Sequence, residues 1–302
     1  MLMFRGVIVP SVTLFSAGGA IDWDANAAHF DRLIEHGVDA LFALGSTGEA
    51  PHLSVDERER MIRWAVDSVG GRVPLLAGVG DTSTSVARRL TRVAEDAGCD
   101  GIVAVGPYYW IPEERHLRAY FGGIASATSL PVLLYNYPRF TGYDLSPEFV
   151  RDLAADYPNI AGIKETLDSG THIRRMIDLV KRERDEFSVL CGHDDLAFFA
   201  LSAGADGVVS STANFAPELL VDLVRSFREE RLSDARLAAS RLGRLVEAYR
   251  ADPCGPAVVK TALRLRGWID ESCSRLPALP LPQDAIDLVR GALEAAGIGP
   301  GG

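Results

Sequence analysis

Cysteine is scarce in this 302-residue sequence: Cys99, Cys191, Cys254 and Cys273 lie far apart, with no C-x-x-C pair among them. That spacing argues against a zinc site and a dithiol redox motif, and it fits a reducing, cytoplasmic setting. The six histidines show none of the ligand spacing of H-E-x-x-H, so no catalytic metal is expected. Positive charge is short as well. Lys plus Arg number 31 against 41 Asp plus Glu, and the net charge of −10 repels phosphate backbones and anionic headgroups, so neither nucleic acid nor a membrane surface is an expected partner. No apolar run approaches the roughly 18 residues of a membrane span. The opening MLMFRGVIVPSVTLFS has its apolar run broken by Pro10 and carries no small-residue cleavage pattern; it reads as a first strand and not as a signal peptide. A G-x-G-x-x-G opening the first helix is missing too, which counts against a doubly wound dinucleotide-binding sheet.

What is present is a repeated unit. HGVDALFALG (36–45), AGCDGIVAVG (97–106) and AGADGVVSS (203–211) each end a helix on glycine, turn on aspartate and enter a short apolar run. Glycine at that position takes the left-handed conformation cheaply, and an unbroken apolar run suits a strand buried on both faces. Strand-like runs near VIVPSVT, ALFAL, VPLLAG, GIVAV, PVLLY, IAGIK, FSVLC and GVVS total eight. Helices alternate with them: Ser54 with Glu57 forms a capping box, Ser146 with Pro147 opens another helix, and DANAAHFDRLIEHG closes on Gly37. Eight evenly spaced βα units predict a (β/α)₈ TIM barrel over residues 1–230. Residues 231–302 predict a C-terminal helical extension, with the Pro-rich 275–283 stretch as an extended link before the last helix.

In such a barrel the chemistry lies at the C-terminal ends of the strands. There the sequence places GSTGE (45–49), GPYYW (106–110), YNYP (135–138), KET (164–166) and CGHDD (191–195). Lys164 is the one amine of this set. An ordinary lysine is only ~0.04% neutral at pH 7 and a poor nucleophile unless burial lowers its pKa. Side chains alternate along a strand, so an inward Lys164 brings Thr166 to its side and turns Glu165 toward the helices, where it is structural. From the residues alone Lys164 is either this nucleophile or an ion-paired surface lysine, and Tyr135 either a catalytic phenol or a space-filling one. GSTGE is either a tight βα loop or a nest of N–H groups able to hold a small carboxylate.

Taken together, GSTGE, YNYP and GIKET, with GPYY and CGHDD in the expected places, resemble the dihydrodipicolinate synthase/N-acetylneuraminate lyase family of class I aldolases. The resemblance runs across nearly the whole chain and implies a barrel with a C-terminal helical segment, a homotetramer, and no metal or organic cofactor. It implies that Lys164 forms a Schiff base with pyruvate or a longer 2-oxo acid and that Tyr135 shuttles protons. It further implies that Ser46 and Thr47 meet the 2-oxo acid's carboxylate, that Tyr109 reaches a neighbouring subunit's site, and that Gly192 and Val209 line the pyruvate pocket. One position departs from the synthase pattern: two residues beyond the YNYP proline, where synthases carry an arginine, stands Phe140, and Arg139 is one residue early. Thr166, Ser46, Asp194 and Asp195 instead resemble the polar groups that sialic-acid and 2-keto-3-deoxy sugar-acid aldolases offer a polyhydroxy chain.

The expectation is therefore a pyruvate-type lyase acting on a 2-keto-3-deoxy sugar acid or an N-acetylneuraminate-like substrate. A 4-hydroxy-tetrahydrodipicolinate synthase served by Arg139 and a 2-oxo sugar-acid dehydratase are the alternatives within the same scaffold. A non-catalytic 2-oxo acid binding protein is disfavoured by the joint presence of Lys164 and Tyr135.

Overall fold

A computed structural model describes residues 4–252 and 255–299; Cys254 lies outside them. Eight parallel strands close into one barrel in sequence order: β1 (Gly6–Pro10), β2 (Ala40–Ala43), β3 (Leu75–Gly78), β4 (Gly101–Val105), β5 (Val132–Asn136), β6 (Ile160–Glu165), β7 (Ser188–Cys191) and β8 (Gly207–Val209). β1 pairs with both β2 and β8, which completes the ring and leaves no open edge. Inside it, Ile8, Phe42, Leu76, Val103, Leu133, Leu190 and Val209 form one packed cluster that Tyr135 joins at the top. The residues between them point outward into a second, larger core shared with the surrounding helices, as the period-2 alternation of a barrel strand requires. The first strand is shorter than its apolar run: beyond Pro10 the chain leaves the ladder, and the Val12 N–H donates to the Asn214 side chain.

The aspartate of each repeated unit has a specific task. Asp39, Asp100 and Asp206, each entering an even-numbered strand, accept the backbone N–H of Val7, Leu75 and Val189 respectively, all at 2.8 Å. Each thus ties an even strand to the start of the odd one before it, a contact worth about 1 kcal/mol. The capping box at Ser54–Glu57 forms in full, Ser146 accepts the Phe149 N–H, and the helix Trp23–Glu35 is followed by Gly37 at φ 80°. After β8 come the helices Pro217–Arg228, Leu232–Val246, Pro256–Leu265 and Gln283–Ala295. Among the described residues no helix is long and apolar enough to cross a membrane.

Candidate active site

β5 and β6 run in register with Tyr135 opposite Lys164 and Asn136 opposite Glu165. Alternation sends the first pair into the barrel mouth and the second outward. Lys164 Nζ lies 4.0 Å from the centroid of the Tyr135 ring and 5.6 Å from that of Phe42. Burial in this apolar collar lowers the Lys164 pKa to about 7, against a small upward pull from the Asp194 carboxylate. Tyr135 moves the other way. Burial pushes its phenol up to about 12, with the Ser46 and Thr166 hydroxyls beside it pulling it partly back. The site thus pairs an amine that is half neutral near pH 7 with a phenol that keeps its proton.

A cavity of about 400 Å³ opens above them. Lys164, Tyr135, Thr166, Ser46, Thr47, Gly192, Asp194, Asp195 and Val209 all line it. Gly192 is there for clearance: a Cβ would stand 2.1 Å from Thr166 Oγ1 and 3.1 Å from Lys164 Cε. Nine of the ten residues singled out in the sequence therefore share one cavity. Tyr109 does not. It is 83% exposed and lies with Trp110 and Ile111, 77% and 75% exposed, in a separate surface hollow after β4.

The loop after β2 is tightly built. Leu44 (φ 63°) and Glu49 (φ 54°) flank it in the left-handed region, a conformation costing on the order of 1–3 kcal/mol at each non-glycine residue. Gly48 packs so closely that a Cβ would meet the Ser11 carbonyl at 2.9 Å, and its own carbonyl accepts the Thr13 hydroxyl at 2.7 Å. Between these two flanks Ser46 and Thr47 line the cavity.

Glu165 points away from the cavity, as its place beside Lys164 in the strand requires. Fully buried, it forms an ion pair with His172 Nδ1, while His172 Nε2 lies 3.1 Å from Asp144. Asn136 donates to the other Asp144 oxygen at 2.7 Å. Burial alone would lower the His172 pKa, but the two carboxylates outweigh it and raise it to about 10. Burial raises the Glu165 carboxyl, with His172 opposing.

Several cavity residues had no sequence signal. Tyr249, in the turn after helix Leu232–Val246, bonds the Ser211 hydroxyl at 2.9 Å and is reached by the Thr212 hydroxyl at 3.3 Å; Thr212 donates to Asp194 at 2.5 Å. Burial, reinforced by Asp194, pushes the Tyr249 phenol above the ordinary tyrosine range. Glu247, Arg250 and Val259 extend this wall from the C-terminal segment. An aromatic row runs from the buried Tyr135 through Tyr137 to the exposed Phe140 at the rim, with ring centroids 5.9 and 4.2 Å apart, and Arg139 borders the same cavity. Tyr137 and Phe140 were legible as aromatics, but the short helix Pro138–Thr141 that turns them to the cavity was not.

Comparison with known proteins places this geometry. The chain is 42% identical over 281 residues to the Escherichia coli K12 protein YagE, which carries the name of a 2-dehydro-3-deoxy-D-gluconate aldolase; 93% of each chain is covered. It is 41% identical over 300 residues to YjhH of the same organism, which carries the name of a 2-dehydro-3-deoxy-D-pentonate aldolase, with 99% of this chain and 100% of YjhH covered. The crystal structure of YagE in complex with pyruvate superposes with a TM-score of 0.96 at 40% identity, covering 98% of this chain and 100% of YagE. A monomeric dihydrodipicolinate synthase variant superposes at 0.92 with 36% identity, covering 98% of each chain. The model of the dihydrodipicolinate synthetase family matches residues 3–296. By sequence, barrel topology and cavity, the chain is a lyase-type enzyme and belongs to the dihydrodipicolinate synthetase family.

Proposed function

We propose that the chain is a Schiff-base lyase that makes or breaks the bond between pyruvate and an aldehyde, with a 2-keto-3-deoxy sugar acid as its substrate. The observation that carries this reading is the buried Lys164 amine, 4.0 Å from the Tyr135 ring centroid at the mouth of the barrel, with burial lowering its pKa to about 7 and raising that of the phenol to about 12. A lowering from 10.5 to about 7 raises the neutral fraction at pH 7 about a thousandfold, which is what a nucleophilic amine needs.

The residues suit each step. Neutral Lys164 attacks the C2 ketone, and the carbinolamine loses water to give an iminium. That cation accepts the electron pair of the breaking C3–C4 bond, so C3 becomes an enamine and C4 departs as an aldehyde. In the condensing direction the enamine attacks the aldehyde and Tyr135 donates its proton to the oxygen forming at C4; in cleavage the Tyr135 phenolate, formed when the phenol's proton leaves with the carbinolamine hydroxyl as water, takes the proton of the C4 hydroxyl. The raised phenol pKa of Tyr135 fits a donor to an alkoxide, and general acid catalysis of this kind supplies roughly 10²- to 10⁴-fold in rate. The iminium itself is the electron sink, so the scheme calls for neither metal nor organic cofactor. Ser46 and Thr47 would hold the substrate carboxylate, with Gly192 and Val209 around the methyl end. Thr166, Asp194 and Asp195 would face the hydroxylated chain, together with Tyr249.

The sugar-acid reading is supported by Phe140 at the rim and by the names of YagE and YjhH. A second reading, 4-hydroxy-tetrahydrodipicolinate synthase, draws on Arg139, whose side chain borders the same cavity. Tyr109, Trp110 and Ile111 form an exposed apolar patch of the kind that a subunit contact covers, in keeping with a homotetramer in which Tyr109 serves a neighbouring site. The test of the chemistry is intact-mass measurement after borohydride reduction with pyruvate. One reduced pyruvate adduct per chain, mapped to Lys164, is expected; an adduct elsewhere, or none at saturating pyruvate, overturns the mechanism.

A further inference from the structure

Glu49, the last residue of the GSTGE loop, has a fully buried carboxylate whose partner comes from the far end of the chain. Lys260 Nζ, also fully buried, donates to Glu49 Oε1 at 2.5 Å. The other oxygen, Oε2, accepts the Arg275 backbone N–H at 3.0 Å and lies 3.1 Å from His52 Nδ1. Lys260 is itself held by the Cys273 carbonyl at 2.8 Å and sits 4.3 Å from the Phe15 ring centroid. Arg275 then grips Glu57 through two bonds, at 2.7 and 2.8 Å. Neither Glu49 nor Lys260 borders the cavity, yet each has a sequence neighbourhood that does: Ser46 and Thr47 before Glu49, and Val259 beside Lys260.

Two features make this pair more than a staple between segments. The loop it closes is strained at both flanks, Leu44 and Glu49, and backbone in that region persists only when surrounding contacts over-determine it. Lys260 also supplies the fully buried cation opposite Glu49, and removing one partner of such a pair is strongly destabilising, so the place of Glu49 depends on Lys260.

We propose that Lys260 is a positioning residue for the carboxylate end of the cavity: through Glu49 it holds Ser46 and Thr47 in the strained arrangement that meets the substrate's carboxylate. The helix Pro256–Leu265 of the C-terminal segment thereby sets the selectivity of a loop more than 200 residues earlier in the chain. This rests on the reading of Ser46 and Thr47 as the carboxylate site.

The experiment compares pyruvate with methyl pyruvate, which keeps the ketone but lacks the charged carboxylate, by the concentration of each that half-saturates borohydride trapping. K260M leaves Glu49 without its buried cation and is expected to unfold readily. K260M/E49Q removes both charges and keeps the volume, and E49Q alone is the second variant, since a buried lysine amine can lose its proton. In the folded variants pyruvate should bind roughly 10- to 100-fold more weakly, the scale of a displaced positioning group, while methyl pyruvate changes by less than about twofold. If folded variants keep the wild-type preference for pyruvate, the pair is a fold contact only and the proposal is overturned. If the wild-type protein itself shows no preference, the carboxylate reading of Ser46 and Thr47 fails and the proposal falls with it; the wild-type measurement separates the two failures.

Discussion

Lys164 and Tyr135 are register partners across β5 and β6, and the amine nitrogen of the first rests 4.0 Å from the ring centroid of the second. In the proposed mechanism the ring that flanks the amine is also the one whose hydroxyl moves the proton. With the Lys164 pKa lowered to about 7, imine formation at low pyruvate should fall about tenfold per pH unit below 7 and level off above it. A trapping rate that keeps climbing toward pH 10 would assign Lys164 an ordinary environment. Asp194 pulls this pKa upward, so Asp194→Asn should move the inflection to lower pH.

Tyr135→Phe should separate binding from turnover. The ring still buries Lys164, so borohydride trapping with pyruvate persists, while kcat for the aldol step falls by about 10² or more, the usual scale for a lost proton donor. Unchanged kcat would make Tyr135 a packing residue.

His172→Asn should destabilise the fold by roughly 3–5 kcal/mol at pH 6, because Glu165 is left buried without its cation. The sign with pH follows from a raised histidine. Its folded pKa of about 10 exceeds the unfolded 6.5, so its contribution is full below pH 6.5 and declines as pH rises toward 10. Urea unfolding at several pH values should show the gap between wild type and variant narrowing across that window. A gap that stays constant would mean that His172 acts by packing rather than charge.

The exposed Tyr109, Trp110 and Ile111 should be covered in solution. Light scattering at micromolar concentration is expected to give a multiple of the 32.6 kDa chain, and Trp110→Ala with Ile111→Ala should shift it toward the monomer. A wild-type monomer would require the site to be complete within one chain.

How much of this was readable beforehand follows from how local each determinant is. The eight strands, the Ser54–Glu57 box and the Gly37 stop are written within a few residues of where they act, and so were legible. So was the inward turn of Lys164, since strand alternation fixes it once the barrel is assumed. The aspartates of the repeated unit were legible as turn residues, but their bonds to the preceding strand exist only in the closed sheet. Glu49 stands in the legible GSTGE stretch, but its pairing with Lys260, 211 positions away, and the approach of Tyr249 to Ser211 carry no local pattern. A glutamate in a loop and a lysine in an amphipathic helix read as solvated until the fold brings them together.

The substrate turns on the rim, where Phe140 packs against Tyr137 at 4.2 Å and Arg139 borders the same cavity. A guanidinium grips a carboxylate through paired, charge-assisted bonds, and loss of such a contact costs about 2–5 kcal/mol. A phenyl ring cannot supply it, whereas a polyhydroxy chain needs hydroxyl and carboxylate partners of the kind that Thr166, Asp194 and Tyr249 offer. Retro-aldol release of pyruvate from 2-keto-3-deoxy sugar acids should therefore exceed condensation of pyruvate with aspartate semialdehyde in kcat/KM by a factor within roughly 30 to 5,000. Arg139→Ala should leave sugar-acid cleavage within about threefold, as expected of an exposed side chain. Phe140→Arg should raise the condensation rate, because it returns a cation to the rim. If condensation instead proceeds near ~10⁵ M⁻¹s⁻¹, an ordinary enzyme value, while every sugar acid is inert and Arg139→Ala abolishes it, then the one-residue shift is bridged by the loop and Arg139 is the clamp.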